Sequence, residues 1–155
     1  DEAAQIIRDN IGEDHLIYSR ALRNQGRVAA ALGEHEAAGR HYERTLNIDR
    51  SIVGEAHPTY LIHQFGQANA LAAAGNHAEA KRIYEENIQN AETVLGPNHI
   101  DLSAMLREYA ACLNALNETA PVPQIIDRAQ TSENAYAPAI SFARESYISL
   151  QNVPW

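Results

Sequence analysis

The chain has 155 residues, 45% of them hydrophobic and 21% charged, with a net charge of −8. That length holds one domain or one short solenoid, and the acidic balance argues against a basic footprint for nucleic acid. Aromatic residues make up only 6% of the chain, so the core must be mostly aliphatic side chains and alanine, which favours closely packed helices over a β-sandwich.

Residues 1–11 read as the second helix of a partial unit. The chain opens on Asp1 rather than methionine, as expected of a processed or shortened product. A linker, Gly12-Glu13-Asp14-His15, then returns as Gly54-Glu55-Ala56-His57 and again as Gly96-Pro97-Asn98-His99, 42 residues apart each time. A second marker keeps this period: Gly33 and Gly75, with Asn117 where a third glycine would stand. Tyr42 pairs with Tyr84 and Leu46 with Ile88, while Gly26, Ala68 and Ala110 share one small-residue position that lets neighbouring helices approach closely. Agreement at so many positions makes this an internal repeat.

The units span residues 12–53, 54–95 and, in degenerate form, 96–137. Each contains two helices by pattern. In the middle unit His57-Pro58 opens the first, over about 59–74, because proline is tolerated in a first helical turn. Gly75-Asn76 ends it. The second runs over about 78–95 with apolar residues at three- and four-residue steps. After Asn117 the sequence predicts a helix over about 123–132 with Ile125, Ile126 and Ala129 inward. A last helix over about 138–150 opens a worn fourth unit, which caps the array with a tail ending in Trp155 (residues 138–155). The expected fold is all-α: a right-handed superhelical solenoid of antiparallel helix pairs, about seven helices in all.

The motifs Leu95-Gly96-Pro97-Asn98-His99, Gly75-Asn76-His77-Ala78-Glu79-Ala80 and Tyr42-Glu43-Arg44-Thr45-Leu46 resemble the tetratricopeptide repeat, in the longer variant of kinesin light chains. The resemblance covers residues 6–117 and implies a binding scaffold that holds a protein or peptide on its concave face. Family members usually carry two adjacent asparagines in the first helix that grip the ligand backbone. Here those places hold Arg23-Asn24, Phe65-Gly66 and Arg107-Glu108.

Carried over by position, the groove-facing set is Arg20, Arg23, Asn24 and Arg27 from the first unit, Ile62, Phe65 and Asn69 from the second, and Arg107 and Asn114 from the third. Arg20, Arg23 and Arg27 stand three and four residues apart and share a helical face. They predict a groove for a carboxylate or an acidic peptide, with Phe65 as apolar anchor. The competing reading is a solvated basic stripe paired with Glu13, Asp14 or Glu34. Two other roles stay open: a regulatory or sensor arm of a larger multidomain enzyme or signalling protein, and self-association through residues 1–11 or the last helix.

Seven histidines invite a metal reading. His15, His57 and His99, however, repeat one whole unit apart, so they stack along the solenoid and suit helix capping. No pair has the i, i+4 spacing of a helical zinc motif. The one cysteine, Cys112, excludes a disulfide within the chain and sits mid-helix on an Ala/Leu face, where an inert thiol is expected. No enzyme signature, cofactor motif or apolar run of membrane length is found. The chain reads as non-catalytic, without metal or cofactor, and as a soluble protein for which the cytoplasm is favoured over export.

Overall fold

A computed structural model describes residues 2–135. Six helices follow one another: α1 (Glu2–Ile11), α2 (Leu16–Ala31), α3 (His35–Ile52), α4 (Pro58–Ala73), α5 (His77–Leu95) and α6 (Ile100–Ala115). A seventh, α7, runs from 122 to 135. Among the described residues there is no strand. The expected last helix and Trp155 lie outside the described residues.

The repeated linker builds each first helix in the same way. His15, His57 and His99 hold extended backbone, and each imidazole accepts a hydrogen bond from the amide two residues on. The distances from Nδ1 are 3.1, 3.1 and 3.3 Å, to the amides of Ile17, Thr59 and Asp101. Each bond satisfies one of the orphan donors at a helix start. The opposite end is just as regular: Gly33, Gly75 and Asn117 all have positive φ, at 78°, 79° and 60°. Asparagine is among the few non-glycine residues that tolerate this conformation, so the third unit keeps the turn without the glycine.

Consecutive helices pack pairwise, and first helices also stack across units, α2 on α4 and α4 on α6. Tyr42 shows how closely. Its ring lies between Gly26 of α2 and Gly66 of α4, where an added Cβ would come within 3.0 and 2.9 Å of it. Tyr42 is buried between the two glycines. Gly66→Ala should therefore cost about 1–3 kcal/mol of overpacking, more than offsetting the gain of about 1 kcal/mol in helix propensity. Gly39→Ala, in an open stretch of α3, should instead stabilise by roughly 0.5–1 kcal/mol. Urea unfolding of the two variants checks the opposite signs.

The junctions between units are built from one set of positions filled in different ways. Between units one and two, Ser19 Oγ donates to Asp49 Oδ1 at 2.6 Å and His63 Nδ1 donates to Asp49 Oδ2 at 2.5 Å. All three residues are buried, Asp49 completely. Forty-two residues on, the same positions hold Leu61, Ala91 and Met105, buried and apolar. In the third unit Ser103 and Glu133 restore the polar version, with Ser103 Oγ donating to Glu133 Oε1 at 2.5 Å. A neighbouring position ties second helix to first: Thr45 Oγ1 donates to the Ser19 carbonyl at 3.3 Å, and Asn87 Nδ2 to the Leu61 carbonyl at 2.8 Å.

Helix α7 buries Ile125, Ala129 and Ser132. Ile126 does not face inward as the sequence predicts; it is 36% exposed. Steps of four and three residues set the buried stripe at 125, 129 and 132, and residue 126 falls about 100° off it.

Candidate functional site

Helix α2 carries Arg20, Arg23 and Arg27 towards α4, and the space between the two helices forms two neighbouring clefts. One, of about 260 Å³, is lined by Arg20, Arg23, Thr59, Ile62 and His63 together with Leu16. The other, of about 270 Å³, is lined by Arg27, Tyr42, Gly66, Asn69 and Ala73 among others. Stacking of first helices thus brings Arg20, Arg23, Arg27, Ile62 and Asn69 along one surface. Ile62 is 40% exposed there. His63, whose ring is held by Asp49, forms part of the wall, a contribution the sequence pattern did not disclose.

The electrostatics centre on Arg23. Burial first, and then the charges of Arg27 and Arg20, lower its pKa from the ordinary arginine value. Its Nη2 donates to Asn24 Oδ1 at 3.0 Å, while its buried Nε has no hydrogen-bond partner. Among the described residues none of the three arginines pairs with a carboxylate. Glu13, one of the acids that could have neutralised the stripe, binds Arg44 instead at 2.5 Å. A half-buried guanidinium flanked by two like charges, without a counter-charge, is destabilising until an anion joins it.

The remaining candidates lie elsewhere. Asn24, exposed, lines a separate cleft on the outer flank of α2. Phe65 packs against Tyr84 with ring centroids 6.0 Å apart. Asn69 also accepts a hydrogen bond from Tyr84 Oη at 2.7 Å. Arg107 forks onto Glu133, with Nε and Nη2 each 2.9 Å from a carboxylate oxygen, so that edge of its guanidinium is already engaged. Asn114 is exposed near the end of α6.

The Arg107 fork, and then Ser103, hold the Glu133 carboxyl below its ordinary value. A depressed acid stabilises the fold when ionised. The clasp of α7 on α6 should persist above the ordinary glutamate range and be lost as pH falls through the depressed value. Amide hydrogen exchange in α7 should accelerate in that acid window, and Glu133→Gln should remove the acid dependence.

No group of three metal-ligating side chains comes together among the described residues. Burial raises the Cys112 thiol above its ordinary value, and its Sγ donates to the His77 carbonyl at 3.2 Å, the opposite of an activated nucleophile. No described helix is long and apolar enough to cross a membrane.

Tetratricopeptide-repeat family models match residues 1–51 and 68–101. The chain belongs to the tetratricopeptide-repeat family. Solved structures extend the likeness to nearly the whole tetratricopeptide array. BtubC (BKLC) from P. vanneervenii superposes with a TM-score of 0.76 at 17% identity, covering 86% of this chain and 53% of its own. A putative kinesin light chain of Podosopora anserina with nearly identical TPR-like repeats gives 0.72 at 18% identity in a singly substituted form, covering 87% and 64%. A second structure of that protein gives 0.68 at 19% identity, covering 84% and 62%. The chain thus spans between half and two-thirds of these proteins and shares the fold of the kinesin-light-chain type of repeat. No curated protein matches by sequence. Tetratricopeptide repeats generally mediate protein–protein interaction, and such scaffolds are typically non-catalytic.

Proposed function

We propose that this tetratricopeptide array is a binding scaffold that holds an acidic segment of another protein in the groove between α2 and α4. Arg20, Arg23 and Arg27 engage carboxylates, Ile62 offers an apolar contact, and Asn69 lies within reach of ligand backbone. The observation that carries this reading is the Arg23 guanidinium, half-buried beside two like charges and without a carboxylate. Guanidinium forks suit carboxylates because two parallel N–H donors match two oxygens. An acidic occupant would also relieve the repulsion among the three arginines.

A peptide array tests this directly. Segments carrying paired glutamates should be retained, and copies with glutamine at those places should not. Retention should weaken as salt rises, because the contacts are charged. Equal retention of the glutamate and glutamine sets would contradict the proposal.

A further inference from the structure

The second unit satisfies the tyrosine of its second helix within the fold: Tyr84 Oη donates to Asn69 Oδ1 at 2.7 Å. Forty-two residues earlier the same two positions hold Tyr42 and Arg27. A guanidinium has donors and no acceptor, so Arg27 cannot do for Tyr42 what Asn69 does for Tyr84. Among the described residues nothing accepts a hydrogen bond from Tyr42 Oη, although Tyr42 is only 2% exposed. A buried hydroxyl without a partner is costly.

This hydroxyl faces the groove. Tyr42, Arg27, Gly66 and Asn69 line the cleft of about 270 Å³ between α2 and α4, and its remaining walls are alanine. A Cβ at Gly66 would stand 3.0 Å from Tyr42 Oη, so the missing side chain leaves the hydroxyl uncovered. Burial, the largest influence, pushes the Tyr42 hydroxyl above its ordinary value, while the charges of Arg23 and Arg27 pull the other way. The phenol therefore keeps its proton at neutral pH and acts as a donor. Asn69 Oδ1 is already engaged by Tyr84. The cleft thus presents one neutral donor and one positive donor. An anionic group with two oxygens answers both, one oxygen accepting from the hydroxyl and the other from the guanidinium.

We propose that Tyr42 Oη and Arg27 together seat one carboxylate of the ligand in this cleft. The seat rests on the acidic-groove reading and adds to it a ligand-binding residue from α3, outside the helix face that carries the arginines. A glutamate or aspartate side chain and a chain terminus share the required chemistry.

Fluorescence anisotropy of a labelled oligoglutamate peptide tests the seat, with wild-type protein beside Tyr42→Phe and Tyr84→Phe. Tyr42→Phe keeps the ring and removes only the hydroxyl. It should weaken binding about 10-fold or more, the effect of a hydrogen bond to a charged group, while its urea midpoint does not fall. Tyr84→Phe should do the reverse, lowering the midpoint and leaving binding unchanged, because its hydroxyl serves Asn69. Arg27→Asn installs the pairing of the second unit, and in that background Tyr42→Phe should lower the midpoint. Amidating the peptide's C-terminus identifies the source of the carboxylate: the effect of Tyr42→Phe disappears if the terminus occupies the seat and persists if a side chain does. Equal affinity of Tyr42→Phe and wild type, with Arg23→Glu impaired, would overturn the seat and leave the acidic groove standing. Equal affinity of all variants, or no binding by wild type, would overturn both. A midpoint lowered by Tyr42→Phe alone would mean that the hydroxyl serves the fold, and would also overturn the seat.

Discussion

Asp49→Ala should lower the unfolding free energy by about 2–6 kcal/mol, because it leaves two buried hydrogen-bond donors unsatisfied at about 1–3 kcal/mol each. That is a large share of the about 5–15 kcal/mol that keeps a domain folded. Alanine leaves Ser19 Oγ and His63 Nδ1 without their acceptor in a space closed to water. The next junction points to the repair. Its corresponding positions hold Leu61, Ala91 and Met105, so the triple change Ser19→Leu, Asp49→Ala, His63→Met installs an apolar set that this fold already packs. Apolar replacement of a whole buried polar set is often neutral or stabilising. The triple variant should therefore recover most of what Asp49→Ala loses. Urea unfolding followed by circular dichroism reads both. A loss from Asp49→Ala within the roughly 0.5 kcal/mol of a surface substitution, or a triple variant weaker than the single, would contradict this account of the junction.

Arg23→Glu should separate binding from stability. A hydrogen bond to a charged group contributes about 1.5–3 kcal/mol, or about 10–100-fold in affinity, and a glutamate at this place also repels an acidic ligand. Binding of an acidic peptide, followed by fluorescence anisotropy, should fall at least that far. The free protein should be no less stable, because the new carboxylate sits beside Arg20 and Arg27 and removes a half-buried guanidinium whose pKa burial has lowered. An unchanged affinity would place the ligand elsewhere. A large loss of stability would mean that Arg23 serves the fold rather than a ligand.

The array itself was legible because a repeat states its rules several times. The linker histidines, the turn glycines and Asn117 fall at one period, and local chemistry explains each of them, so the helix boundaries follow within a residue or two. Contacts between units were harder to read. Ser19, Asp49 and His63 occupy the same repeat positions as Leu61, Ala91 and Met105, yet their joint switch from polar to apolar has meaning only once α2, α3 and α4 are known to meet there. Glu133 is the register mate of Asp49, a relation hidden because the third unit is worn. Gly66 stands where the family carries an asparagine, and only the Tyr42 ring shows why a side chain is refused.

The candidate site divides along the same line. Helical spacing was enough to put Arg20, Arg23 and Arg27 on one face. Whether acids of the same chain would neutralise them depended on tertiary neighbours, and Glu13 turned to Arg44. Arg107, equivalent to Arg23 by position, met Glu133 from α7, an acid the groove pattern does not contain. Phe65 found an aromatic partner in Tyr84. Side chains long enough to reach either ligand or neighbour are those that sequence position assigns least well.

The most direct test of the binding proposal is a pull-down from the native lysate, with the wild-type chain beside an Arg20/Arg23/Arg27→Ala variant, read by mass spectrometry. The proposal predicts a protein with an acidic segment that is retained by the wild type and lost with the variant. Identical profiles from the two baits would contradict it.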